Sequence, residues 1–345
     1  MEPLKIDPSL DVVSALLALG DVVDGKRSLL IESSGSTGTP KLIELSPEAL
    51  MASVRATANR LGGHGQWLLA LPITFIAGAQ VLLRSLVADR QPIIMNTTVP
   101  FTAESFARSA GMMTGERRYT SLVPAQADRL LAAIPGDSYL LDKLRRFDAV
   151  LIGGQAPKES TIQALRDLDV NVVVTYGMAE TCGGCVYDGR PLDGVKVMAL
   201  GDGRIVLDGP MLAENVQHPF ITGDVGEWDG EFLSVRGRAD RVIISGGMKL
   251  SLEAVEAWTH AQPGVVEAVA VPTENEKFGQ GFMCWVVMRD QLPIDATRSA
   301  LTLGIVAKSG VWRVTESIPK LPSGKPDLQF LTVLANQFGD DFGKE

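Results

Sequence analysis

Apolar positions along the chain recur with two alternating periods. Ser28-Leu-Leu-Ile31 is a short apolar run with the character of a buried strand. Small polar residues follow up to Lys41, and a helix opens at Ser46-Pro47. Serine suits an N-cap and proline the first helical position, while Leu50, Val54, Ala58 and Leu61 keep one face apolar. After the run Trp67–Leu71 the two periods alternate. They predict a helix near 77–88, strand 92–95, helix 102–113, strand 119–123, helix 125–134, strand 148–152, helix 157–168 and strand 170–175. Apolar strands alternating with amphipathic helices predict a largely parallel sheet with helices on its faces.

The pattern changes after Gly183. Short segments with glycine-rich turns, at Leu200-Gly-Asp-Gly-Arg204, Leu207-Asp-Gly-Pro210 and Trp228-Asp-Gly-Glu231, predict antiparallel hairpins. A helix at 251–260 and strands near 265–271 and 282–288 come next. The expected fold class is α/β. A large N-terminal domain, residues 1–237, has mostly parallel sheets flanked by helices plus a small antiparallel region, and a smaller α+β C-terminal domain spans residues 241–345.

Composition narrows the function classes. With 345 residues, 46% apolar and 21% charged, the chain can bury a core and is neither disordered, coiled-coil nor collagen-like. Its net charge of −9, from 32 basic and 41 acidic residues with no basic cluster, argues against nucleic acid as a partner. Three cysteines, Cys182, Cys185 and Cys284, with no signal peptide after Met1-Glu2-Pro3, point to a reducing, cytoplasmic setting. Cys182-Gly-Gly-Cys185 has half the spacing of a zinc site, but no second pair exists and His64, His218 and His260 are scattered. The most apolar stretch, Trp67 to Leu83, is shorter than the ~20 residues a bilayer requires and is broken by Pro72, Thr74, Gly78 and Gln80, so no membrane span is expected.

The loop Ser33-Ser34-Gly35-Ser36-Thr37-Gly38-Thr39-Pro40-Lys41 carries the most chemistry. It offers backbone N–H groups, hydroxyls and one ammonium, the donors that a polyphosphate requires. It is not a Walker loop. The second glycine of that motif falls on Pro40, and Leu42 rather than Ser or Thr follows the lysine. A flexible Gly/Ser connection is the alternative for the loop taken alone.

The loop resembles the signature of adenylate-forming enzymes, which include acyl- and aryl-CoA ligases, luciferases and nonribosomal adenylation domains. Further segments resemble that family's motifs in the same order, over residues 28 to about 330. In Leu151-Ile-Gly153-Gly154-Gln155 the resemblance implies a strand end that borders adenine. In Tyr176-Gly177-Met-Ala-Glu180-Thr181 it implies a Tyr on adenine and a Glu that helps hold Mg²⁺. Thr222-Gly-Asp224 implies a carboxylate on the ribose. Gly237-Arg238-Ala-Asp240 implies a hinge near Asp240 that makes the C-terminal domain mobile, with Ile244-Ser-Gly246-Gly247 facing the CoA thiol. Lys320-Leu-Pro-Ser-Gly-Lys325 implies the catalytic lysine. Joining a carboxylate to ATP brings two anions together, so Mg²⁺, ammonium groups and backbone dipoles must offset the charge. Glu180, Lys41 and Lys325 are the residues at hand. A solvated surface charge is the alternative for any one of them.

The chain departs from the family pattern in places. Ala179 replaces a Thr or Ser, removing a hydroxyl near the α-phosphate for which Thr181 or a water can substitute. Leu42 replaces a Gly, Phe75 takes the place of an aromatic or His gate, and the phosphate loop arrives by residue 33. The segments Leu71–Arg84 and Thr120-Ser121-Leu-Val-Pro-Ala-Gln126 are similar to o-succinylbenzoate-CoA ligases. That similarity implies an AMP-forming ligase of menaquinone biosynthesis that uses ATP, Mg²⁺ and coenzyme A, takes the small-molecule carboxylate o-succinylbenzoate, and leaves a homodimer open. Phe75, Ser121 and Arg84 are the candidate substrate residues. Arg84 either pairs with the substrate's second carboxylate or is an ordinary helix-surface arginine. Another acyl-CoA ligase and a catalytically degraded nucleotide-binding protein are the competing readings.

Overall fold

The computed structural model describes residues 2–7, 10–33, 41–289, 309–321 and 326–338. The chain divides into two compact units. One comprises residues 1–201, 205–222 and 227–234, the other 202–204, 223–226 and 235–345.

The first unit begins with β1 (Leu4–Lys5), α1 (Val12–Val23), β2 (Leu29–Ser33) and β3 (Lys41–Leu45). β1 runs parallel to β2, and β2 pairs antiparallel with β3 so that Ser33 lies opposite Lys41. Two of these elements escape sequence periodicity. The α1 segment is apolar on nearly every side, and β3 follows a run of Gly, Ser, Thr and Pro that reads as one long connection to the next helix. That helix, α2 (Pro47–Arg60), starts as predicted: Ser46 Oγ accepts from the Ala49 N–H at 3.3 Å.

Alternating strands and helices then build the main sheet. They are β4 (Gln66–Leu69), α3 (Ile76–Val87), β5 (Ile93–Ile94), α4 (Ala103–Gly111), β6 (Arg118–Leu122), α5 (Pro124–Ala133), α6 (Ser138–Arg145), β7 (Ala149–Ile152), α7 (Glu159–Asp167), β8 (Val172–Met178), β9 (Gly183–Tyr187) and β10 (Arg190–Pro191). The strand order is β10-β9-β8-β7-β6-β4-β5, in which β8 through β5 run parallel and β9 turns back antiparallel on β8. The fold class is α/β. Strand side chains alternate between two cores: Trp67, Leu69, Ala149 and Leu151 face one, Leu68, Val150 and Ile152 the other. The short α6 was not anticipated, because it follows directly on the Ile134-Pro-Gly turn.

A hairpin of β11 (Lys196–Ala199) and β12 (Arg204–Asp208) comes next, then β13 (Phe220–Trp228) and β14 (Leu233–Arg238). The second unit continues with β15 (Val242–Ser245), β16 (Met248–Ser251), α8 (Leu252–His260), β17 (Val265–Asn275), β18 (Gly279–Met288), β19 (Gly310–Val314) and α9 (Leu328–Phe338). β15 to β19 make one sheet with a helix on each face. Ala268, Ala270, Phe282, Cys284 and Val286 pack with Val255 of α8, whereas Val269, Val271, Met283 and Trp285 pack with Leu331 and Ala335 of α9. This is the period-2 alternation of a sheet buried on both sides.

Candidate active site

Parallel strands present their carboxyl ends at one edge, where open α/β sheets bind ligands. β6, β7 and β8 end there. Ser121 is buried near the end of β6, beside Leu151 of β7. Gly153 follows β7, and its N–H donates to the Leu122 carbonyl at 3.2 Å. A Cβ on Gly153 would collide with the Thr175 hydroxyl of β8, so only glycine fits. Gly154, with φ +83°, and Gln155 are exposed beyond it. Tyr176 is half-buried on β8 against the cluster of Val186, Val197 and Leu207. Gly177 sits at an irregularity in the β8–β9 pairing, and a Cβ there would strike the Gly183 carbonyl.

Glu180 lies in a 3-10 turn, Ala179–Thr181, directly after β8, and is half-buried. β2 and β3 both lie against this turn. Ser33 and Lys41, the two ends of the candidate phosphate-binding segment, are carried on those two strands, and the Lys41 side chain is exposed. A connection from elsewhere in the unit ties the parts together. The Ala213 N–H donates to the Glu180 carbonyl at 2.9 Å, while Asn215 grips β3 by accepting from Glu44 N–H at 3.2 Å and donating to Leu42 O at 2.9 Å. Sequence reading passed over Asn215, since one Asn in a polar loop carries no pattern. Ser34, Gly35, Ser36, Thr37 and Gly38 lie outside the described residues.

Thr181 corrects an expectation. It is fully buried, and its hydroxyl accepts from Met178 N–H at 2.9 Å while lying 2.7 Å from the Gly183 carbonyl. Its single proton is used inside the turn, so Thr181 does not replace the hydroxyl absent at Ala179.

The donor set fits a magnesium ion carried by a nucleotide. Among the described residues no three His, Cys, Asp or Glu side chains converge as a metal cage. Mg²⁺ in phosphate-transfer sites is held by one or two carboxylates together with phosphate oxygens, and Glu180 next to the loop-bearing strands meets that requirement. The cysteines offer no competing site. Burial pushes the thiols of Cys185 and Cys284 up to about 12, and that of Cys182 also up, so none supplies a thiolate near neutral pH.

In the second unit, Arg238 forms a fork with Asp240, from Nε to Oδ1 at 2.8 Å and from Nη2 to Oδ2 at 2.9 Å, and reaches Asp224 from Nη1 at 3.4 Å. The Asp240 carboxylate holds the guanidinium even further up than usual. Asp240 lies in the exposed 3-10 turn Ala239–Arg241. Arg241 is paired with Glu253 at 2.8 Å and Glu256 at 2.5 Å. Gly246 and Gly247, with φ +56° and +82°, form the exposed two-residue loop of the β15–β16 hairpin, which requires positive φ at both positions. Lys325 lies outside the described residues. The flanking Lys320 and Pro326 pair in an isolated antiparallel bridge, and Lys320 reaches Glu267 at 3.0 Å.

Arg84 is held inside the protein. It is 5% exposed on α3, stacked 4.9 Å from the Trp67 ring centroid and donating from Nη2 to Thr57 Oγ1 at 3.2 Å, and Thr57 in turn bonds the Tyr187 hydroxyl. Trp67 is the second residue of β4, near its amino end, whereas Tyr187 pairs with Thr175 of β8, the neighbour of Gly153. The burial of Arg84 sets aside the helix-surface reading. Phe75 is the half-buried N-cap of α3, one residue before Ile76, which packs on Gly183.

The sequence matches the AMP-binding enzyme family over residues 27–227. A probable 2-succinylbenzoate-CoA ligase of Mycobacterium tuberculosis is 36% identical over 330 residues, covering 90% of this chain and 85% of that one. A 2-succinylbenzoate-CoA ligase of Geobacillus kaustophilus is 29% identical over 73% of this chain and 57% of its own length. Among solved structures, the o-succinylbenzoate-CoA synthetase of Bacillus subtilis with its acyl-adenylate intermediate superposes with a TM-score of 0.74 at 24% identity, covering 88% of this chain and 68% of that one. The same enzyme with ATP and magnesium gives 0.74 at 23%, over 87% and 69%. At that identity the likeness establishes the fold. Among the described residues no helix is long and apolar enough to cross a membrane.

Proposed function

The chain belongs to the AMP-binding enzyme family, and we propose that it ligates o-succinylbenzoate to coenzyme A in menaquinone biosynthesis. It is an AMP-forming CoA ligase that uses ATP, Mg²⁺ and coenzyme A. The observation that carries the substrate is the 36% identity to the Mycobacterium tuberculosis ligase over nearly the whole of both chains. A substrate carboxylate attacks the α-phosphorus of ATP and releases pyrophosphate. The CoA thiol then attacks the acyl carbon, and AMP departs with the former carboxylate oxygen.

The residue roles are carried over from the family resemblance, with the charge each side chain brings in support. Lys41 and the loop Ser33–Gly38 bind the phosphates. Glu180 holds Mg²⁺, which supplies charge neutralisation at the phosphoryl groups. Gly153, Gly154, Gln155, Tyr176 and Gly177 border the adenine, with Phe75 and Ser121 on the acyl side. Asp224 takes the ribose hydroxyls, oriented by Arg238. Lys325 serves adenylation, Gly246 and Gly247 the thioester step, and Asp240 is the pivot between them, residues 1–237 and 241–345 acting as the two domains. Three buried free cysteines suit a reducing cytoplasm.

A panel of carboxylic acids in a pyrophosphate-release assay tests this reading. Release with o-succinylbenzoate, lost in Lys325→Ala while supplied acyl-adenylate is still converted to thioester, is the expected result. Faster turnover of another acid would assign a different acyl-CoA ligase, and binding of ATP without release from any acid would leave only a nucleotide-binding protein.

A further inference from the structure

The turn that carries Glu180 ends in an unusual backbone. Cys182, two residues on, has φ +53° and Gly183 has φ +93°, so two consecutive residues are left-handed and one of them is not glycine. Such a conformation persists only when its surroundings hold it. Besides the bond from the Cys182 N–H to the Ala179 carbonyl at 3.0 Å and the Thr181 hydroxyl at the Gly183 carbonyl, the hold from other elements falls on the Cys182 carbonyl oxygen. It accepts from Gln80 Nε2 of α3 at 2.7 Å and from Ser53 Oγ of α2 at 3.3 Å. Both donors are buried, Gln80 at 1% and Ser53 at 3% exposure.

Gln80 is an expensive residue for a purely structural task. Its Oε1 is sealed from solvent with no hydrogen-bond partner among the described residues. An apolar side chain of the same length would fill the space beside Ile76 and Gly183 without leaving a buried acceptor unsatisfied. What the amide supplies, and an apolar chain cannot, is the short bond to Cys182. We infer that Gln80, seconded by Ser53, is a positioning residue that fixes the left-handed turn at Cys182 and thereby aims Glu180 at the magnesium of the bound nucleotide. The inference rests on the metal role proposed for Glu180. Outer-shell groups of this kind orient metal-binding carboxylates without touching the ion.

Gln80→Met keeps the length of the side chain and removes the donor, and Ser53→Ala removes the longer bond. Calorimetry measures ATP affinity with Mg²⁺ and, separately, with a chelator. In Gln80→Met the affinity for ATP in the presence of Mg²⁺ falls about ten- to hundredfold. Without Mg²⁺ it stays within about twofold of wild type. Ser53→Ala shows the same selective loss, smaller in size. Equal losses with and without Mg²⁺, or wild-type affinity in both, would overturn the inference. Should Gln80→Met fail to fold, the Ser53→Ala ratio decides by the same criterion. The parent reading fails separately: wild-type protein that binds ATP equally with and without Mg²⁺ would remove the metal role of Glu180 itself.

Discussion

Glu180 and Arg84 are carried by the same unit, yet their flanking residues make one legible in sequence and the other not. Glu180 stands in a contiguous segment, Tyr176 to Thr181, where strand end, turn and carboxylate follow one another, so neighbours in sequence are neighbours in space. Arg84 lies on a helix, where the 3.6 period tells which face a side chain shares but not which end of the sheet it meets. Its guanidinium is committed to Trp67 and Thr57, and its Nε is buried with no partner among the described residues. Its partners are a ring and a neutral hydroxyl, so an apolar side chain of similar length at this position leaves neither of them as an unpaired buried charge. Arg84→Met is therefore expected to keep the KM for o-succinylbenzoate within about twofold and to fold normally. A many-fold rise in that KM, with the KM for ATP unchanged, would return Arg84 to the substrate pocket.

At the scale of elements, the β8–β9 hairpin is where glycine decides the geometry. Gly177 lies against the Gly183 carbonyl so closely that any Cβ collides, and the pairing register shifts between Tyr176 and Gly177. Glycine within a strand marks such an approach, but the periodicity ended this strand at residue 175, short of Gly177, whereas β8 runs to Met178. Gly177→Ala should destabilise the protein by about 1–3 kcal/mol, the usual cost of overpacking, and depress adenylation because the Glu180 turn follows directly. Wild-type melting temperature and pyrophosphate release together would show that the strands part freely there. α2 was legible from its Ser46-Pro47 start and the contrast of apolar with polar positions along it, and β7 from a short apolar run buried on both sides. α1 lacked that contrast, and β3 was hidden behind a loop whose composition says turn while its successors Ile43 and Leu45 are buried. The long-range clamp of Asn215 on β3 joins residues some 170 positions apart, from Asn215 to Leu42 and Glu44. No local pattern announces such a contact.

Across the whole molecule the candidate site residues are divided between two units. Lys41, Glu180 and the strand ends of β6 to β8 belong to the first, whereas Asp224, Arg238, Asp240, Gly246 and Gly247 belong to the second. The second unit takes residues 202–204 and 223–226 from within the first stretch of chain, a partition that hydrophobic periodicity cannot show because it follows contacts rather than order. In the proposed reaction the nucleotide first takes up a carboxylate and AMP then leaves. The isotopic fate of the substrate oxygen tests that sequence of steps. With o-succinylbenzoate whose carboxylate oxygens carry a heavy isotope, mass spectrometry of the products after one round with ATP, Mg²⁺ and coenzyme A should find AMP heavier by one labelled oxygen and the thioester lighter by the same atom. AMP of natural mass, or label in inorganic phosphate with ADP as the nucleotide product, would contradict adenylation of the acid.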